Sequence, residues 1–267
     1  GIATPLLILQ WIGGLHNDAV LVALIALAVL AATRGGWSGL LLGGALIGAS
    51  LTIKQSGAAA GLGIVALAWA ASPGRDWWRL AGRAAAAGAV AVGVFVGVSL
   101  GSGLGFGWNK PTAGSPLAVM SDSPLSWVTQ AMKFLGQEES LTPVIRILTL
   151  IAGLAVLTAW VWLVVRFGPR PGEPGRPWVV LLGGLLAFAL LGPALQPWYF
   201  TWAAPFVALA LPDRRWQRIW LSATVVVVVA ATTRIAFGSP LLGLAAWLMW
   251  RRLEAKNLDV LDERTGV

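Results

Sequence analysis

Between residues 15 and 250 the chain is a succession of apolar runs, most of them near the length that a helix needs to cross a bilayer, separated by short polar or arginine-bearing turns. Lipid offers the backbone no hydrogen-bond partners, so such runs fold as helices that satisfy their own amides and carbonyls. A window of span length predicts a partial first segment at 2–12 and spans at 15–33, 37–53, 57–72, 84–102, 143–165, 178–195, 198–211, 219–237 and 240–250. Segment 198–211 is short and carries Pro205, so a kinked or re-entrant helix is the alternative expected there. The expected fold class is all-α: a polytopic transmembrane helical bundle of about eight or nine spans, forming a single transmembrane domain over residues 1–267. The chain opens at Gly1 with no charged n-region and no small-residue cleavage site, so no signal peptide is expected. It reads as the C-terminal part of a longer protein.

The formal net charge of +8 raises the question of a nucleic-acid partner. However, 57% of the residues are hydrophobic and only 11% are charged, and the arginines fall in short turns between apolar runs, where membrane topology places them. The expected surroundings are a lipid bilayer and no nucleic acid. With no cysteine, a disulfide framework, a cysteine-based metal site and a thiol nucleophile are excluded. No His/Asp/Glu set has the spacing of a metal site, so no cofactor is evident, and the sequence leaves a need for a divalent metal open.

Orientation follows from the basic residues. Arg75, Arg79 and Arg83 share one turn, Arg166, Arg170 and Arg176 another, Arg214, Arg215 and Arg218 a third, and Arg251, Arg252 and Lys256 begin a tail over 251–267. Two spans separate each successive pair of groups, so all four lie on one side, which the positive-inside rule makes the cytoplasm. The extracytoplasmic side then receives His16-Asn17-Asp18, the Lys54-Gln55-Ser56 turn, a loop over 103–142, Gln196-Pro197-Trp198-Tyr199 and a turn beginning at Arg234. The expectation is a multi-pass plasma-membrane protein whose C-terminus is cytoplasmic and whose working face is the outer one.

Each outer group has a structural reading beside its functional one. Asn17 and Asp18 are suited to cap the helix they open, yet ionisable groups at a membrane helix are costly, which favours a functional role for His16 and Asp18. Lys54 either snorkels to the interface or holds a phosphate. Gln196 and Tyr199 offer hydrogen bonds to sugar or phosphate oxygens, while Trp198 is suited equally to a sugar ring and to an interfacial aromatic belt. Arg234 stands at an outer helix end against the topogenic trend, which a phosphate or carboxylate partner explains. Within the loop, 125–134 reads as a short interfacial helix capped by Ser121 or Ser123.

Other signals are structural. Gly101-x-Gly103-x-Gly105-x-Gly107 follows a membrane span without the strand of a dinucleotide site, and reads as a helix exit. Gly44-x-x-x-Gly48 and the alanine-rich stretch 84–91 read as surfaces for close helix approach.

Gly13-Gly14-Leu15-His16-Asn17-Asp18-Ala19 at the head of a span, Lys54-Gln55 between later spans and Leu195-Gln196-Pro197-Trp198-Tyr199 near the end resemble the actinobacterial polyprenol-phosphomannose-dependent alpha-1,6-mannosyltransferases of the glycosyltransferase C superfamily. The resemblance implies transfer of mannose from a polyprenyl-phosphate-mannose donor to a lipomannan or lipoarabinomannan acceptor, a mannan or glycolipid, with inversion at the anomeric carbon. It implies catalytic roles for Asp18, as base or positioning group, and His16, with Asn17 orienting donor or acceptor. Lys54 and Arg234 become phosphate clamps, and Gln55, Gln196, Trp198 and Tyr199 substrate contacts. In this superfamily the usual base lies in the first outer loop, which would precede Gly1, so the fragment alone is expected to be inactive. The alternatives are a lipid-linked saccharide transporter or flippase, and a noncatalytic scaffold. Polar groups gathered at one face, with no internal repeat, favour the enzyme over the transporter.

Overall fold

A computed structural model describes residues 17–70, 76–103, 105–106, 128, 131–136, 141–168, 175–192, 196–233 and 248. Among them the regular structure is all helical, with no strand. In chain order the α-helices are α1 (Asp18–Thr33), α2 (Gly36–Ile53), α3 (Gly61–Ala70), α4 (Trp77–Gly101), α5 (Leu141–Phe167), α6 (Pro177–Leu191), α7 (Phe200–Ala203), α8 (Val207–Ala210) and α9 (Arg214–Thr233). Short 3-10 turns at Gln55–Ala60, Pro197–Tyr199 and Ala204–Phe206 interrupt them.

The turn between α2 and α3 is built by local chemistry. Lys54 leaves the helix in an extended conformation, with φ −162° and ψ 139°, and its carbonyl accepts from the amide of Gly57 at 3.1 Å. Gly57 presses against α2: a Cβ there would overlap the Ser50 hydroxyl, so glycine is what lets the 3-10 turn fold back. The expected kinked segment at 198–211 is present as alternating 3-10 and α turns, with Pro205 inside the turn Ala204–Phe206. Proline contributes no amide donor to an α ladder, and the tighter turn accommodates its absence.

Several expected boundaries are corrected. Arg79 and Arg83 are on α4 itself rather than in a turn, because the Asp76 side chain accepts from the amide of Trp78 at 2.9 Å and starts the helix there. In the same way the Asp213 carboxylate accepts from the amide of Arg215 at 2.7 Å, so Arg214, Arg215 and Arg218 ride on α9. Arg166 belongs to the last turn of α5. Asn17 makes no side-chain cap bond, and the Asp18 carboxylate turns elsewhere, so neither residue caps α1 as expected. After α4, Gly103 and Gly105 take positive φ values of 73° and 57°, the helix exit anticipated for them. The segments 2–12 and 240–250 (apart from Leu248), and most of the loop with its serine caps, lie outside the described residues. Of the interfacial helix expected at 125–134, residues 128 and 131–134 are described and are helical, and the amide of Gly136, at φ 70°, donates to the carbonyl of Lys133 at 3.0 Å just beyond it.

The core is formed by α1, α3 and α6 with the segment from α7 to α8. Leu21, Ile25, Ile64, Leu181, Leu185, Trp202 and Phe206 are buried there. The α2 glycines and the α4 alanines, each read as small-residue surfaces, are one interface. An added Cβ on Gly44 would stand 2.6 Å from the Ala87 carbonyl oxygen, and one on Gly48 would overlap that of Ala91. Gly48→Val is therefore expected to destabilise the protein by about 1–3 kcal/mol through overpacking, read as a lower thermal midpoint in detergent. A wild-type midpoint would remove this interface from the packing.

Among the described residues three helices are long and apolar enough to cross a membrane: Gly36–Ile53, Trp78–Gly101 and Pro143–Phe167. On α5, Ile147, Leu150, Ile151, Leu154, Leu157, Val161, Trp162 and Val165 are each more than half exposed. A soluble protein does not present so continuous an apolar surface to water, whereas lipid solvates it without cost. This is a membrane protein.

Candidate functional site

The helix directions bring three separate pieces of chain to one end of the bundle. These are the start of α1, the turn after α2, and the Pro197–Tyr199 turn with α7. Asp18 is the first residue of α1 and is fully enclosed, at 0% exposure. Its position at the helix N-terminus suits a negative charge, but burial requires that the charge be paired. Lys54 supplies the pair, its Nζ donating to Oδ1 at 3.0 Å and to Oδ2 at 3.2 Å. The indole Nε1–H of Trp202, on α7, donates to the same Oδ1. Both carboxylate oxygens are thereby engaged.

The extended backbone at Lys54 directs its side chain across the end of α1, and the ammonium comes to rest against aromatic rings. It lies 4.6 Å from the centroid of Tyr199 and 5.3 Å from that of Trp202, both within cation–π range. These rings stack on each other at 4.1 Å with an interplanar angle of 24°. Lys54 keeps 27% of its side-chain surface exposed, whereas Asp18 keeps none. Lys54 is thus not a lysine snorkelling freely away from the protein. The cluster is a buried carboxylate, a half-buried ammonium held on two faces, and an aromatic wall. The Asp18–Lys54 pair has a fully enclosed partner, whereas the Arg79–Asp76 pair is exposed and longer at 3.8 Å.

Of the residues singled out in the sequence, the structure joins Asp18, Lys54 and Tyr199. Trp198 stands beside them, half-buried, edge-on to Tyr199 with ring centroids 6.2 Å apart. Gln196 is buried, and its carbonyl accepts from the amide of Tyr199 at 3.0 Å, which closes the 3-10 turn that carries the aromatic pair. Asn17 and Gln55 are exposed. His16 and Arg234 lie outside the described residues. The separate roles expected for Asp18 and Lys54 become a joint one, since each occupies the other.

Trp202 is the site residue that the sequence reading missed. Its signal was weak but real: a buried indole carries an N–H that requires an acceptor, and Trp202 stands three residues after Tyr199, one helical turn on. Nothing in the spacing pointed to Asp18 as that acceptor.

What the arrangement can do is hold a single fixed cation at the rim of an apolar bundle. Three donor–acceptor contacts converge on the Asp18 carboxylate, and the exposed part of Lys54 is left to meet an anion.

Comparison with known families assigns the two sides of this site to two matched stretches. Residues 1–71, with Asp18 and Lys54, match the family described as alpha-(1->6)-mannopyranosyltransferase, N-terminal domain. Residues 124–254, with Tyr199 and Trp202, match the MptB C-terminal domain. No curated protein and no solved structure matches the chain. With the two matched stretches taken together spanning about three quarters of its length, the chain belongs to the alpha-(1->6)-mannopyranosyltransferase family.

Proposed function

We propose that the protein transfers mannose from polyprenyl-phosphate-mannose to a lipomannan- or lipoarabinomannan-type acceptor, forming alpha-1,6 linkages on the extracytoplasmic side of the plasma membrane. The observation that carries this reading is the Lys54 ammonium, fixed by Asp18, Tyr199 and Trp202 with part of its surface open. A lipid-linked phosphate is the anion a membrane enzyme of this family would present to it.

In the proposed reaction an acceptor hydroxyl attacks the mannose C1 as the bond from C1 to the phosphate oxygen breaks, inverting the anomeric centre. The hydroxyl proton passes to a carboxylate, and polyprenyl phosphate departs with its negative charge. Lys54 stabilises that charge as it develops, with Arg234 as a second cation. Asp18, enclosed and engaged on both oxygens, positions Lys54. The proton is assigned to a carboxylate other than Asp18, because both Asp18 oxygens are already engaged. His16, Asn17, Gln55, Gln196, Trp198 and Tyr199 contribute sugar and acceptor contacts around this centre.

The proposed topology is the bundle of about eight or nine spans with the C-terminus in the cytoplasm. Its support is the clustering of arginine near the helix ends away from Lys54: the Arg83 guanidinium covers the ring of Trp37 at the start of α2, and Arg166 and Arg176 both lie over Phe167.

The test supplies membranes carrying the intact protein with radiolabelled polyprenyl phosphomannose and a mannoside acceptor. Label is expected in an acid-stable, extended mannoside. Movement of donor across the membrane with no label in the acceptor would overturn the reading in favour of a flippase.

A further inference from the structure

We propose that Trp202 is a positioning residue for transfer: its indole N–H fixes the Asp18 carboxylate so that Lys54 presents its ammonium to the donor phosphate in one orientation. The inference rests on the mannosyl-transfer reading of the site.

Trp202 is 1% exposed and has no surface with which to meet a substrate. Whatever it does for the reaction it does through its neighbours. It is itself held firmly, stacked on Tyr199 at 4.1 Å and packed against Phe188 of α6 with ring centroids 6.2 Å apart. A donor on so rigid a ring has a fixed direction, and the oxygen it chooses is the one nearer to Lys54, at 3.0 Å against 3.2 Å for the other.

Lysine has a long, flexible stem, and an isolated Lys–Asp pair can settle in many geometries. With the carboxylate plane set by the indole and the ammonium resting on the Tyr199 and Trp202 rings, that freedom is removed before the donor arrives. Without the N–H, the carboxylate is free to rotate and draw the ammonium inward, away from the open side. A neutral side chain that never touches the donor thereby governs its recognition.

Two replacements separate the N–H from the ring. Trp202→Phe keeps an aromatic wall, and β-(3-benzothienyl)alanine at position 202 keeps the full bicyclic shape while replacing the N–H by sulfur. In the radiolabel assay each is expected to lower kcat/KM for polyprenyl phosphomannose by about tenfold, the order of one hydrogen bond to a charged group, with the acceptor KM unchanged. In a Lys54→Met background the same replacement is expected to change transfer by less than about twofold, because the group it positions is gone. Wild-type donor kinetics for the benzothienyl protein, or additive losses in the double variant, would overturn the proposal. A loss of folding in Trp202→Phe leaves the decision to the benzothienyl protein, whose shape is preserved. If the wild-type protein itself transfers no mannose, the mannosyl-transfer reading fails instead, and the two failures are distinct.

Discussion

Lys54→Met is expected to lower kcat/KM for mannosyl transfer by about 10²–10³-fold, the loss typical of removing one preorganised donor from a developing negative charge. Methionine keeps the length and apolar stem of the lysine while deleting its charge. The loss is larger than that of an ordinary surface lysine for a structural reason: the ammonium is already oriented by Asp18 and by two rings before the phosphate arrives. The same substitution leaves a fully enclosed carboxylate with only the Trp202 indole to satisfy it. Breaking a buried pair in this way costs about 3–5 kcal/mol, so the thermal midpoint in detergent is expected to fall together with activity. Radiolabel transfer and thermal unfolding on the same preparation read the two effects. A well-folded Lys54→Met protein with wild-type transfer would take Lys54 out of the site.

The second large effect divides stability from chemistry. Adding Asp18→Asn to Lys54→Met removes the orphaned charge, and the amide oxygen still accepts from Trp202. Neutral replacement of a buried pair is often without net cost, so stability is expected to return to within about 1 kcal/mol of wild type. Transfer is expected to stay about 10²–10³-fold down, because nothing restores the cation. Asp18→Asn by itself then discriminates between the two roles considered for this residue. A positioning carboxylate predicts a loss of about tenfold, the scale of one charge-assisted hydrogen bond. A general base predicts a loss nearer 10²–10⁴-fold. A loss in the higher range, in a protein of unchanged secondary structure, would return Asp18 to the role of proton acceptor.

How much of this was legible beforehand differs from residue to residue. The helices were, because apolar run length is a property of consecutive residues: the spans expected at 37–53 and 143–165 differ by at most two residues at either end from α2 and α5. The start of α4 was missed by seven residues because a span window reads hydrophobicity, whereas the helix begins where Asp76 caps the amide of Trp78, among arginines a window rejects. The small-residue surfaces of α2 and α4 were each recognised, but their mutual contact was not. Glycine spacing says that something approaches closely without saying what.

In the site, Asp18, Lys54 and Tyr199 were singled out one at a time, as polar residues in apolar surroundings. The positive-inside argument also placed them on one side, and they do meet at one end of the bundle. Their pairing was not legible. A lysine read as a phosphate clamp and an aspartate read as a base were each assigned to a substrate, and both turned out to be assigned to each other as well.

The sequence by itself determined that this is an all-helical membrane protein, that Asp18, Lys54 and Tyr199 stand at the ends of apolar runs, and which family it resembles. Those are consequences of hydrophobic run length, charge placement and short motifs, all read along the chain. Only the tertiary structure decided which of these groups touch. Trp202 donates to a carboxylate 184 positions away, and that contact depends on the rotation of α1, the fold-back at Gly57 and the broken path from Pro197 to Ala210. Helix rotation and chain bends come from side-chain packing summed over the whole bundle, so no local pattern encodes the meeting of Asp18, Lys54 and Trp202.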